Sequence, residues 1–153
     1  MANNAGRVSS GECTLVAATE KTLLQLKAAT NVPIKITKIT PWGKQAAGGT
    51  DAPSKIRLTL STANFGTATG TTTPGHKDPH YTETFQGTYS QNFTTEPTSP
   101  TDLTIWGELN PQLMVVDPQD ILYPVIVPGG DAINIAATNA GTPIVGVTVE
   151  IEE

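Results

Sequence analysis

Ser54-Lys55-Ile56-Arg57-Leu58-Thr59-Leu60-Ser61 alternates apolar and polar side chains almost without a break. Successive side chains of an extended backbone point to opposite faces, so Ile56, Leu58 and Leu60 share one side and Lys55, Arg57 and Thr59 the other. This is the pattern of a half-buried strand. The same period of two returns downstream. Leu103 to Asn110 sets Leu103, Ile105 and Gly107 against Thr104 and Trp106, and Asp131 to Thr138 alternates through Ile133 and Ile135. Ile144 to Glu152 puts Val145, Val147, Val149 and Ile151 on one face and Thr148, Glu150 and Glu152 on the other. Asp120 to Val127 is mostly apolar, but Pro124 lacks an N–H and bars it from a fully bonded central position. Pro128-Gly129 then predicts a type II turn.

Upstream, Val32 to Thr40 is a strand with Ile34 and Ile36 on one side. Ile39 falls out of phase, which predicts a bulge near Lys38, since one extra residue restores the inward face. Trp42 is expected to cap one end of the core. Lys21 to Lys27 places Leu24 and Leu26 together, with Leu23 breaking the alternation, and a short strand over Glu12 to Ala17 precedes it. The best helical stretch, Ala18 to Ala29, has apolar residues at 23, 24, 26, 28 and 29 without a 3.6-residue spacing. Fourteen Gly and twelve Pro in 153 residues suit short strands joined by turns and would break long helices. The sequence therefore predicts an all-β fold, a two-sheet antiparallel sandwich of jelly-roll type with about eight strands. An immunoglobulin-like sandwich is the alternative, although the Cys–Trp–Cys pattern of antibody-type domains is absent.

One domain is expected at this length. Residues 1–11 are small and polar and read as a flexible arm; residues 12–153 read as the sandwich. Within it, residues 62–101 form a long insertion, rich in Thr, Gly and Pro, with sparse aromatics Phe65, Tyr81, Phe85, Tyr89 and Phe93. A short strand over Tyr89 to Thr95 is expected inside it. The net charge of −5 leaves no basic stripe for phosphates, which argues against nucleic-acid binding and against an anionic membrane surface. The single cysteine, Cys13, excludes an internal disulfide and reads as a buried structural thiol. No run approaches the ~20 apolar residues that span a bilayer. With no apolar signal segment at the start, the reading is a soluble protein made in the cytoplasm.

The one constellation with chemical potential is His76-Lys77-Asp78-Pro79-His80. In extended backbone His76, Asp78 and His80 would project together, and two imidazoles with a carboxylate can hold a divalent metal. The competing reading is a solvated polar loop, and it is preferred, because a floppy segment gains little from ordering three ligands. No metal, no cofactor and no catalytic residue is assigned, and the chain is not read as an enzyme. Trp106 falls on the outward phase of its strand. It either covers a sheet face beneath the 62–101 insertion or anchors a subunit interface, where Trp is enriched.

Several framing segments carry a resemblance. Thr19-Glu20-Lys21-Thr22-Leu23-Leu24-Gln25-Leu26-Lys27-Ala28-Ala29 precedes Asn31-Val32-Pro33-Ile34-Lys35-Ile36. Later come Thr94-Thr95-Glu96-Pro97-Thr98, Val127-Pro128-Gly129-Gly130-Asp131-Ala132-Ile133-Asn134-Ile135, and a last strand ending in Glu152-Glu153. This order resembles the jelly-roll head decoration, or cement, proteins of tailed bacteriophages, over about residues 14–153, with the Val-Pro-Gly-Gly turn its most specific part and the 62–101 insertion unmatched. The resemblance implies a virion protein on the capsid exterior, a homotrimer that binds the major capsid protein and bridges capsomers. The expected contact segments are residues 1–11 and 62–101, and the interface candidates are Arg7, Trp42, Phe65, Tyr81, Phe85, Tyr89, Phe93 and Trp106. Three rivals stand beside it: a tail, baseplate or host-binding jelly roll; a carbohydrate-binding module stacking sugars on Trp42, Trp106 and Tyr89; and a metal-dependent hydrolase built on His76, Asp78 and His80. Fold alone does not choose among them.

Overall fold

The computed structural model describes residues 4–45, 52–98, 100–109 and 120–153, and of 104–109 and 120–124 it describes the backbone. Twelve strands occur among the described residues: β1 (Ala5–Ser9), β2 (Cys13–Thr14), β3 (Lys21–Lys27), β4 (Ile34–Lys44), β5 (Ser54–Ser61), β6 (Thr67–Thr72), β7 (Gly75–His76), β8 (Thr88–Thr95), β9 (Thr101–Leu109), β10 (Asp120–Val127), β11 (Ala132–Thr138) and β12 (Ile144–Glu152). They form two antiparallel six-stranded sheets. One, sheet A, runs β10-β4-β12-β1-β7, with β2 also paired to β12; the other, sheet B, runs β6-β8-β3-β11-β5-β9. No two strands consecutive in the chain pair with each other among the described residues. β3 pairs β11 in sheet B while β4 pairs β10 in sheet A, so the successive strands β3–β4 and β10–β11 cross between sheets side by side. That winding agrees with the expected sandwich, with more strands than the eight expected.

Alternation builds the core between the sheets. Val145, Val147, Val149 and Ile151 of β12 and Ile34, Ile36 and Ile39 of β4 are fully buried, and they face Leu24, Leu26, Ile56, Leu58, Ile133 and Ile135. Each such side chain contributes roughly 1.5–3 kcal/mol by leaving water. The bulge expected near Lys38 is present: Lys38 opposes Glu150 and Ile36 opposes Ile151, so Thr37 is the extra residue that lets Ile36 and Ile39 both face inward. Leu23 has the same explanation, since Leu24 opposes Ile135 and Thr22 opposes Ala136.

Four expectations change. Residues 5–9 are not an arm; they form β1, because Val8 is buried and Gly6 lies against the Phe85 ring, where a Cβ would collide. The strand expected over Glu12 to Ala17 shrinks to Cys13–Thr14, since the chain turns at Ala18 (φ 56°) with Thr19 N–H donating to Val16 O. The 62–101 insertion contains β6, β7 and β8, because Tyr89 and Phe93 alternate inward between exposed threonines. The turn after β10 sits one residue later than expected: Asp131 N–H donates to Pro128 O and Gly130 carries the positive φ of 88°.

Candidate binding face

The outward side chains of sheet A form ordered rows set by strand register. In the first row Lys35 pairs with Glu152 at 2.7 Å, with exposed Ile126 on its other side. The next aligns Lys38, Glu150 and Arg7. Arg7 Nη2 donates to Glu150 Oε1 at 2.9 Å, and Lys77 Nζ, from the residue after β7, donates to Oε2 at 2.5 Å. The third row carries hydroxyls: Thr40, Thr148 and Ser9. In the fourth, Trp42 opposes Gly146, and a Cβ there would collide with indole Cζ2 and Cε2. A glycine inside a strand marks such a close approach. Beyond it, Lys44 reaches Glu12 at 2.5 Å.

Where β7 ends, this face sinks into a groove of about 630 Å³ lined by Arg7, Ser9, Gly75, His76, Lys77 and Thr148. The hydrogen bond from Lys77 holds the Glu150 carboxyl below its ordinary range; partial burial opposes this, and Arg7 adds to it. Glu150 is therefore an anion that takes one hydrogen bond from each cation.

Of the interface candidates, Arg7 and Trp42 belong to this face. Trp42 is half-buried on the outside of sheet A and does not cap the core, because beyond the bulge at Thr37 the even-numbered residues of β4 turn outward. Phe65 lies on the far side of the molecule, half-buried, with Lys27 Nζ 3.9 Å from its ring centroid. Phe85, Tyr89 and Phe93 are 9%, 3% and 7% exposed, so they are spent inside the protomer and are not surface anchors. Tyr81 is half-buried. The Trp106 side chain lies outside the described residues; its backbone is the extra residue of a bulge, between Gly107 opposite Ile56 and Ile105 opposite Arg57. A second bulge makes Leu103 the extra residue between Thr104 and Asp102, which leaves it exposed and not inward as expected.

His76, Asp78 and His80 do not come together. β7 stops at His76, whose ring stacks on Phe85 with centroids 4.9 Å apart, and the chain then turns, with Tyr81 N–H donating to Asp78 O. Asp78 and His80 contact each other at 3.1 Å in solvent. Among the described residues no three His, Cys, Asp or Glu side chains converge. Cys13 is half-buried, and burial pushes its thiol up, away from the thiolate a nucleophile needs.

Glu153, in the sequence only the end of the last strand, bolts the 86–89 segment to the end of β12. Its carboxylate accepts from Gln86 N–H (2.6 Å), Gly87 N–H (2.9 Å) and Tyr89 O–H (2.5 Å). Burial and that carboxylate push the Tyr89 phenol well up. Ser9, Lys77, Thr148 and Gly146 were also unassigned; only the mid-strand glycine carries a readable signal. No protein-family model, curated protein or solved structure matches the chain.

Proposed function

We propose that this chain is a structural virion protein that decorates a bacteriophage capsid, assembling as a trimer that bridges capsomers. The observation that carries the reading is the side of the sandwich where both sheets end. β9 closes one sheet and β10 the other, each with one hydrogen-bonding edge unpaired among the described residues, and β9 lies near β4, the neighbour of β10. Each edge strand also exposes an aliphatic side chain, Leu103 at 44% and Ile126 at 56%. An unpaired edge with apolar side chains is a template for another chain, and a head-to-tail contact between such edges closes a ring when its rotation allows. The resemblance to cement proteins supplies the partner, the major capsid protein. The N-terminal residues 5–9 are engaged within the protomer as β1, so the edge side carries the docking.

Light scattering on the purified protein, followed by sedimentation with empty expanded capsids, tests this. A trimer that co-sediments, and that loses both properties in Leu103→Asp/Ile126→Asp with its melting temperature kept, is the expected result. A monomer that ignores capsids overturns it.

A further inference from the structure

The outer face of sheet A offers a second site, independent of those edges. Trp42 lies over Gly146, and its indole Nε1 has no hydrogen-bond partner among the described residues. Thr148 is two residues from Gly146 on β12 and lines the groove, so indole and groove are separated by only about 7 Å along the strand. The hydroxyl row Thr40, Thr148 and Ser9 lies between the indole and the Arg7 row. At the groove itself Arg7 commits only Nη2, to Glu150, and its Nη1 and Nε are without partner among the described residues. Two cations against one carboxylate leave a local charge of about +1, on a chain whose net charge is −5.

An aromatic face, a band of hydroxyls and a guanidinium with spare donors, in that order over roughly 14 Å of strand, suit an oligosaccharide whose rings carry carboxylates. One ring's C–H face stacks on the indole, hydroxyls along the saccharide meet Thr40, Thr148 and Ser9, and the carboxylate of a neighbouring ring takes a free N–H of Arg7 in a charge-assisted hydrogen bond. We propose that this face binds an acidic oligosaccharide, with one ring on Trp42 and the carboxylate of a neighbouring ring on Arg7 and Lys77. A protein partner fits less well, because the strongly exposed aliphatic residue of this face, Ile126, lies at its β10 corner in the Lys35 row, roughly 20 Å along the strands from the Trp42 row, and Ile144, beside that row, is half-buried.

Isothermal titration of the full chain with hyaluronan hexasaccharide, and with cellohexaose as the uncharged control, tests the assignment. Hyaluronan is expected to bind, more weakly as salt is raised, and cellohexaose at least roughly tenfold more weakly. Trp42→Ala and Arg7→Ala should each weaken hyaluronan by roughly tenfold. Ser9→Glu, which places a like charge in the groove without touching the core, should do the same, and it keeps the test valid if Trp42→Ala misfolds. No heat with either saccharide at millimolar concentration overturns the proposal, as does equal binding of both or binding indifferent to Arg7→Ala and Ser9→Glu. Loss of capsid binding in Trp42→Ala without any saccharide affinity in the parent assigns the face to a protein and overturns it equally.

Discussion

The two outer faces of the sandwich follow the same alternation and end in opposite states. On sheet A, the outward residues Arg7 and Lys77 keep 62% and 42% of their side chains in solvent. On sheet B, the outward residues Gln25, Asn134, Thr59 and Ser61 are at most 4% exposed. Residues 62–66 and 96–98 cross over them: Gln25 Nε2 donates to Phe65 O at 2.9 Å, Thr98 N–H to Asn64 O, and Thr22 N–H to Glu96 Oε2. Beneath this cover Gln25 Nε2 also donates to Asn134 Oδ1 at 2.7 Å, while Asn134 Nδ2 donates to Thr59 Oγ1 and Ser61 Oγ. Period two decides which way a side chain points. Whether that direction is wet depends on a second layer of chain, and a buried polar group must then find its partners inside.

The sharpest way to break this contrast is to remove one polar side chain from each face. Asn134→Ala strands the Thr59 and Ser61 hydroxyls and half of Gln25 in a dry layer. It should cost about 3 kcal/mol in chemical denaturation, since unpaired buried groups lose about 1–3 kcal/mol each. Thr148→Ala, outward on the wet face, should stay within about 0.5 kcal/mol. Similar costs at both positions would mean that residues 62–66 do not seal sheet B in solution.

This contrast also measures what was legible beforehand. Segments such as Ser54–Ser61 and Ile144–Glu152 announced their strands, because apolar burial on one side writes a local period. The bulge at Thr37 was legible through Ile39's lost phase. Residues 5–9 and 67–72 were not, because Ala-Gly-Arg-Val-Ser and Thr-Ala-Thr-Gly-Thr-Thr carry few apolar side chains, and their pairing depends on partners far along the chain. The candidate site was legible only in part. Arg7 and Trp42 were singled out, but the row that joins them exists only through the register of β4, β12 and β1. The metal reading failed for a related reason: it assumed that extended backbone continues past His76.

A smaller effect separates the dry side from the wet one by pH. Tyr89 O–H is buried against Glu153, and its pKa is raised in the folded chain. A raised pKa stabilises the fold below the group's unfolded value, near 10 for tyrosine, and that stability is lost as pH rises past it, because only the unfolded chain then sheds the proton. Denaturation midpoints should therefore fall between about pH 9 and about pH 11, and Tyr89→Phe should make the fall shallower. An unchanged slope in the variant would place the phenol in solvent.

The smallest effect belongs to the open face and has the opposite sign. Glu150 has a lowered folded pKa, so its contribution is complete above the ordinary carboxylate value near 4.3 and fades as pH falls through the lower folded value. Glu150→Gln keeps the shape and removes the charge. Because Arg7 and Lys77 are largely exposed, the parent should exceed the variant by less than about 1 kcal/mol at neutral pH. The gap should close below about pH 4 and shrink in high salt, since solvent screens these charges. A gap that ignored salt would make this cluster as dry as the Asn134 layer, and the two faces would then differ in composition but not in their exposure to water.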